Sequence, residues 1–168
     1  MIRTERLEIK PFSLADQERM VKLFTNDIIK KTYMLPDFDS QDKVIKLFER
    51  MVELSQSQER LVRGIYCDDV VIGMVNDVGI ENGKIEVGYM LDPAYHNQGY
   101  ATEMLKAVIP YLFDRGFVEV VAGAFEGNIA SQRVMQKAGM QLTDVVDEIE
   151  YRGVVHKCVN YSMKKEEV

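Results

Sequence analysis

At 168 residues, 46% hydrophobic and 29% charged, the chain has the size and makeup of a single domain spanning residues 1–168 around one sizeable core. A formal net charge of −6 argues against a nucleic-acid backbone as main partner, because phosphate binding needs clustered Lys and Arg. No run approaches the roughly 18 apolar residues of a membrane span, and Arg3, Glu5, Arg6 and Glu8 stand where a signal peptide would be apolar. A cytoplasmic protein without membrane partners is therefore expected. Cys67 and Cys158 lie far apart, with only His96 and His156 to assist them, so neither a metal site nor a disulfide framework is expected.

A short strand is expected around Leu7 to Lys10. Helical apolar spacing covers Ala15 to Asn26 and Asp42 to Ser55, the latter through Val44, Leu47, Phe48, Met51 and Val52. The connection between them holds Tyr33, Met34, Leu35, Pro36 and Phe38, so it either packs on the core or lines a binding cleft. Strands follow over Val62 to Cys67 and Val70 to Val78, joined by a tight Asp68-Asp69 turn, and Asn82-Gly83 supplies the next hairpin. In the strand after it, Ile85, Val87, Tyr89 and Leu91 alternate with Glu86, Gly88 and Met90. Glu86 is thus set on the face opposite the aliphatic residues unless a bulge intervenes, and Pro93 ends the strand.

Ala101, Met104, Leu105, Val108, Ile109, Leu112 and Phe113 give the strongest helical period, over Gly99 to Arg115, with Gly116 as the stop. Pro110 lacks the amide that would bond to the Lys106 carbonyl, which predicts a kink or an early last turn. Phe117 to Phe125 is an almost unbroken apolar run, as in a central strand covered on both faces. Strand, helix and strand form a βαβ unit with parallel outer strands, so the helix starts at the carboxyl end of its strand. A second helix is expected over Ile129 to Ala138, with Asn128 at its N-cap and Gly139 at C′. Strands near Met140 to Glu150 and Val154 to Met163, turned by Arg152-Gly153, complete a mixed sheet.

The stretch Asp92-Pro-Ala-Tyr-His-Asn-Gln-Gly-Tyr-Ala-Thr-Glu103 delivers two small residues, Gly99 and Ala101, to the start of a helix. Unpaired N–H groups and a partial positive charge there suit a diphosphate. No Gly-x-Gly-x-x-Gly occurs and no Gly-Lys-Ser/Thr follows, which excludes a dinucleotide fingerprint and a P-loop. Taken alone, one glycine before a helix also fits a close helix-to-strand packing contact.

Gln98-Gly-Tyr-Ala-Thr-Glu103 after Gly88-Tyr-Met-Leu-Asp-Pro93 resembles the acetyl-CoA motif of the GNAT superfamily, Gln/Arg-x-x-Gly-x-Gly/Ala. Thr4-Glu-Arg-Leu7, Glu86-Val-Gly-Tyr89, Asn128-Ile-Ala-Ser131 and Lys137-Ala-Gly139 resemble its ribosomal-protein alanine acetyltransferase (RimJ/RimL-like) branch. That branch also contains enzymes acting on polyamines, antibiotics and other small amines. The resemblance implies an α/β (α+β) fold: a mixed, mostly antiparallel central sheet with a parallel, splayed strand pair and flanking helices. It implies acetyl transfer from acetyl-CoA, as co-substrate, to a primary amine, either a protein N-terminus or a small-molecule amine. Coenzyme contacts are implied for Met90, Leu91, His96, Asn97, Gln98, Gly99, Tyr100, Ala101, Thr102, Asn128, Ser131 and Lys137. A homodimer is compatible with it. His96 stands where Gln or Arg is usual and Asn97 where Gly is frequent. Met135 replaces a tyrosine thought in many members to protonate the departing thiolate, a role proposed in this branch for a serine at the position of Ser131.

Amide formation requires a neutral amine, whereas a lysine amine has a pKa of about 10.4 and an α-amine about 8. The resemblance assigns the proton to Glu86, directly or through water; a solvent-facing strand glutamate is the plain alternative. A backbone N–H near Met90 or Leu91 would stabilise the oxyanion. Ser131 would donate to the sulfur or only supplement the cap, and Asn128 can both cap and touch the coenzyme. Lys137 would meet a phosphate or simply favour its helix C-terminus. Asp144, Asp147, Glu148 and Glu150 would steer a cationic acceptor or form a solvated face. Neither cysteine carries the signature of an activated nucleophile, so direct attack is expected. The alternatives are a non-catalytic acyl-CoA binding or sensing protein, and an interaction module using the Tyr33 to Phe38 segment.

Overall fold

The structure, a computed structural model, describes residues 1–167. In chain order it comprises β1 (Ile2–Arg3), β2 (Glu8–Lys10), α1 (Gln17–Phe24), α2 (Gln41–Ser55), β3 (Val62–Cys67), β4 (Val70–Glu81) and β5 (Lys84–Leu91). Then follow α3 (Tyr100–Asp114), β6 (Glu119–Phe125), α4 (Ile129–Lys137), β7 (Gln141–Tyr151) and β8 (Val154–Lys164). The strands form one sheet in the order β1-β2-β3-β4-β5-β6-β8-β7, with β5 and β6 parallel and the sheet otherwise mostly antiparallel. This is the mixed sheet that the resemblance implies. Three hairpin turns carry positive φ at both central residues: Asp68 and Asp69 (+49°, +64°), Asn82 and Gly83 (+51°, +77°), and Arg152 and Gly153 (+53°, +75°). That geometry matches the right-handed twist of the flanking strands.

The chain packs as two compact units. One comprises Met1–Asp77 with Tyr89–Tyr100; the other comprises Val78–Gly88 with the chain from Ala101 onward. In the first unit, Phe12, Met20, Phe24, Phe48, Tyr66, Met74 and Met90 share a buried cluster in which Phe12 meets Phe48 edge-on at 5.8 Å. Leu35 is buried in the same cluster and Tyr33 and Phe38 pack against it, so the apolar connection between α1 and α2 belongs to the core. The helix expected from Ala15 opens instead with a 3-10 turn, Leu14–Asp16, because Ser13 and Asp16 cap each other's backbone amides as a capping box. Strand β1 is too short for any periodicity to reveal.

In the second unit, α3 buries Met104, Leu105, Val108, Ile109, Leu112 and Phe113. It runs through Pro110 to Asp114, so the early last turn is not realised. Pro110 is exposed, where the Lys106 carbonyl that loses its partner can face water. Coverage of β6 also differs from expectation. Val120, Ala122 and Ala124 are buried, whereas Gly123 is exposed and Val121 and Phe125 are half-buried, so the strand is sealed on one face only. Glu119 and Gly123 in the apolar run mark that open face. Strand β5 pairs in register with β6 from Lys84 opposite Glu119 to Val87 opposite Ala122, and β8 lies between β6 and β7.

Candidate active site

The first unit shapes the loop between β5 and α3. At the end of β5, Met90 and Leu91 are buried. A Cβ added to Gly73 on neighbouring β4 would lie 2.1 Å from the Met90 carbonyl oxygen, so the two backbones meet as closely as a glycine allows. The Asp92 amide donates to the Ile72 carbonyl at 2.7 Å. Its carboxylate accepts from the Ala94 amide at 2.9 Å, capping the 3-10 turn Pro93–Tyr95, and from the Arg19 guanidinium at 2.7 Å. Arg19 also donates to the Val71 carbonyl, which ties α1, β4 and the loop together.

His96 sits 3.0 Å through Nε2 from the Leu91 carbonyl. A carbonyl only accepts, so this nitrogen carries the proton and the imidazole closes the loop on itself. The Gln98 side chain donates to the Ala94 carbonyl at 3.0 Å. Asn97 (φ +58°) and Gly99 (φ +81°) both adopt left-handed backbone, turning the chain sharply into α3 at Tyr100. The amides at that helix start have no carbonyl one turn earlier to bond, and Ala101 and Thr102 add little bulk to the first turn. The residues present therefore suit a diphosphate: a glycine-bearing turn, small side chains and a positive helix end. Arg6 donates to the Gln98 carbonyl at 2.9 Å and stacks over the Tyr100 ring at 4.1 Å. Cys67 Sγ lies 3.8 Å from the Tyr100 hydroxyl, and that contact leads the influences raising the phenol pKa.

The second unit holds the predicted acid-base residues. Glu86 is half-buried, and its Oε1 lies 3.6 Å from where a Cβ would stand at Gly123. Burial, with a smaller contribution from Asp147, pushes the Glu86 carboxyl up. Buried Asn160 donates to the Val145 carbonyl at 3.1 Å and to the Asp147 carboxylate at 3.0 Å. Burial, then Asp147, then Glu86, push the Cys158 thiol up, which suppresses the thiolate. Phe125 and His156 stack at 4.3 Å and 14°, with Tyr151 tilted beside them at 6.1 and 6.4 Å. The open face of β6 thus presents a carboxyl, an amide and a thiol next to an aromatic cluster. Asp144, Glu148 and Glu150 are exposed along β7.

At α4 the Asn128 side chain accepts from the Ser131 amide at 3.2 Å, the N-cap that the sequence implies. This contact uses the Ser131 backbone amide as donor. Met135 is fully buried at 0% exposure. Lys137 is exposed in the last turn, nine residues and therefore about 13 Å from Asn128. The structure thus gathers Met90 to Thr102 into one continuous loop and helix start, sets Asn128 beside Ser131, and groups Glu86 with Asp147, Asn160 and Cys158. Lys137 stands apart from Asn128 and Ser131. Sequence reasoning missed Arg6, Arg19, Gly73 and Asn160, whose partners are far away in the chain; only Arg6 lay within a recognisable motif. Among the described residues no group of three or more His, Cys, Asp or Glu could hold a metal ion, and no helix is long and apolar enough to cross a membrane.

Comparison with known proteins agrees with this architecture. The chain is 26% identical to the uncharacterized N-acetyltransferase YoaA of Bacillus subtilis (strain 168), over 98% of this chain and 97% of that one. Its fold is similar to that of RimL, a ribosomal alpha-N-protein acetyltransferase solved in complex with coenzyme A, with a TM-score of 0.86, 21% identity, and 98% and 97% of the two chains covered. It is similarly related to a GNAT-family acetyltransferase from Bacillus anthracis, with a TM-score of 0.84, 20% identity and 98% of both chains covered. Residues 6–141, which include β5, the glycine turn, α3, β6 and all of α4, match the model of the acetyltransferase (GNAT) domain. The chain belongs to the GNAT acetyltransferase family.

Proposed function

We propose that the protein transfers the acetyl group of acetyl-CoA to a primary amine by direct attack of the amine on the thioester. The carrying observation is the loop from Asp92 to Tyr100, which two left-handed residues and a network of loop-internal bonds hold open at a helix start. Family membership supports acetyl-CoA as the ligand of that turn. In this reading the amides from Gln98 to Thr102 receive the diphosphate and a backbone N–H near Met90 or Leu91 receives the thioester oxygen. Asn97, Tyr100 and Ala101 shape the turn. His96 acts by bracing the loop, with no part in proton transfer.

Glu86 takes a proton from the acceptor's ammonium, directly or through water, and so frees the neutral amine that attacks the thioester. Its raised pKa favours this role, because a stronger base accepts a proton more readily near neutrality. Ser131 donates to the departing sulfur, and Asn128 joins it at the coenzyme while capping α4. Burial of Met135 supports giving Ser131 the role, since that position offers no accessible acid. For Lys137 we favour the plain role at the helix C-terminus, in keeping with its exposed place in the last turn. The acceptor is a protein N-terminal amine or a small-molecule amine, and the reaction takes place in the cytoplasm.

Thermal unfolding with and without acetyl-CoA is the first test. A ligand binding only the folded state at 100 times its Kd adds about 2.7 kcal/mol of stability. A clear shift at micromolar ligand, followed by thiol release in an amine screen, supports the reading. Absence of any shift at millimolar ligand refutes it. A shift without thiol release for any amine favours a binding or sensing protein instead.

A further inference from the structure

We propose that Arg6 is a positioning residue for the diphosphate of acetyl-CoA, fixing the direction in which the Gly99 amide points. The proposal rests on the acetyltransferase reading given above. Arg6 lies in the turn between β1 and β2, where the Thr4 amide donates to the Leu7 carbonyl at 2.9 Å and the Leu7 amide to the Thr4 hydroxyl at 2.9 Å. From there its guanidinium meets three successive residues of the glycine turn. It donates to the Gln98 carbonyl at 2.9 Å, lies 3.4 Å through one nitrogen from where a Cβ would stand on Gly99, and covers the Tyr100 ring at 4.1 Å. The opposite end of that tyrosine is held by Cys67 at the end of β3, 3.8 Å from its hydroxyl.

In a planar trans peptide the carbonyl and the following N–H point in opposite directions. Holding the Gln98 carbonyl on Arg6 therefore turns the Gly99 amide away from the guanidinium, as a donor presented to an anion on the other side of the turn. Left-handed Asn97 and Gly99, on either side of Gln98, leave this peptide plane with no helix or strand to orient it. Arg6 supplies that orientation from 92 residues away in the chain. The task needs a planar group that stacks on a ring while donating within its own plane, which a lysine ammonium cannot do.

The test compares two acetyl donors, acetyl-CoA and S-acetylpantetheine, which shares the thioester arm and lacks the diphosphate. Wild type should prefer acetyl-CoA in kcat/KM, and Arg6→Ala should shrink that preference about tenfold, the factor accompanying loss of one charge-assisted hydrogen bond. The change should fall on KM for acetyl-CoA, with KM for the amine unmoved, and Arg6→Lys should not restore it. Calorimetric Kd for coenzyme A should weaken in parallel. An unchanged preference between the two donors in Arg6→Ala overturns the proposal, as does full restoration by Arg6→Lys, which would leave charge alone as the cause. A wild type that turns over neither thioester overturns the acetyltransferase reading itself, a result distinct from an altered preference.

Discussion

Gly73→Ala tests how the end of β5 is held. The added methyl would lie 2.1 Å from the Met90 carbonyl oxygen, 2.8 Å from Leu91 Cδ2 and 3.1 Å from Leu91 Cα. Two of these three neighbours are backbone, so rotamer changes cannot relieve the clash, and Met90 and Leu91 must shift by about an ångström to reach ordinary contact distances. Overpacking of this kind costs roughly 1–3 kcal/mol, and each kcal/mol lowers Tm by about 2–4 °C for a chain of this size. A displacement of that size in residues proposed to hold the thioester oxygen should also lower kcat on the order of 100-fold. The control is Gly79→Ala on the same strand, where a Cβ would have nothing within 4 Å. That variant should match wild type or gain up to about 1 kcal/mol, through the reduced freedom of its unfolded chain. Thermal unfolding and steady-state thiol release, run side by side, read both effects. If Gly73→Ala behaves like Gly79→Ala in both assays, the close approach does not constrain the site.

Glu86→Gln should lower kcat/KM severely, and Asp147→Asn should move the acid limb of the wild-type pH profile to lower pH, because Asp147 contributes to the raised Glu86 pKa; an unmoved limb would separate that limb from Glu86. A carboxyl raised from its ordinary value of 4.5 contributes stability that is full below its unfolded pKa and lost as pH rises through its folded pKa. Glu86→Gln should therefore gain in Tm against wild type as pH climbs through that window, and a constant difference from acid to neutral pH would refute this. Asn128→Ala should cost about 0.5–2 kcal/mol as a lost N-cap, whereas Ser131→Ala keeps the capped amide and should lower turnover with little change in Tm; the reverse pattern would make Ser131 a structural residue. Met135→Tyr should lower stability by about 1–3 kcal/mol without raising turnover, since the site is fully buried and leaves no room for a phenol; a gain in turnover would show that the position reaches the reacting atoms.

Most of the sheet was legible because its connections are short and chemically explicit. Asp68-Asp69, Asn82-Gly83 and Arg152-Gly153 each supply left-handed backbone where a two-residue hairpin needs it, and Asn128 and Gly139 mark both ends of α4. The β5-α3-β6 order required parallel outer strands, as observed. What misled was hydrophobicity without period: the run to Phe125 read as doubly covered, while Gly123 and half-buried Phe125 lie on an open face. Pro110 misled in the other direction, because a proline on the exposed side of a helix forfeits one bond to a carbonyl that water can serve. In the candidate site, the glycine turn and the α4 cap are local and visible in the sequence. The clamps at Arg6 and Arg19 are not, because a guanidinium finding a carbonyl 92 or 52 residues away leaves no spacing to read.

The strand order also fixes when the second unit can close. Strand β8 lies between β6 and β7, although β7 precedes it in the chain. Until Val154–Lys164 takes its place in the sheet, β6 lacks its antiparallel neighbour and β7 lacks the strand it pairs with. The exposed Leu142, Val145 and Val146 of β7 then sit on an unpaired strand, the kind of edge that invites association between incompletely folded chains. Asp144, Asp147, Glu148 and Glu150 place like charges along that same strand, so two waiting copies repel each other until β8 arrives. The strand that must wait for its partner is thus also the one whose charges oppose pairing with a copy of itself.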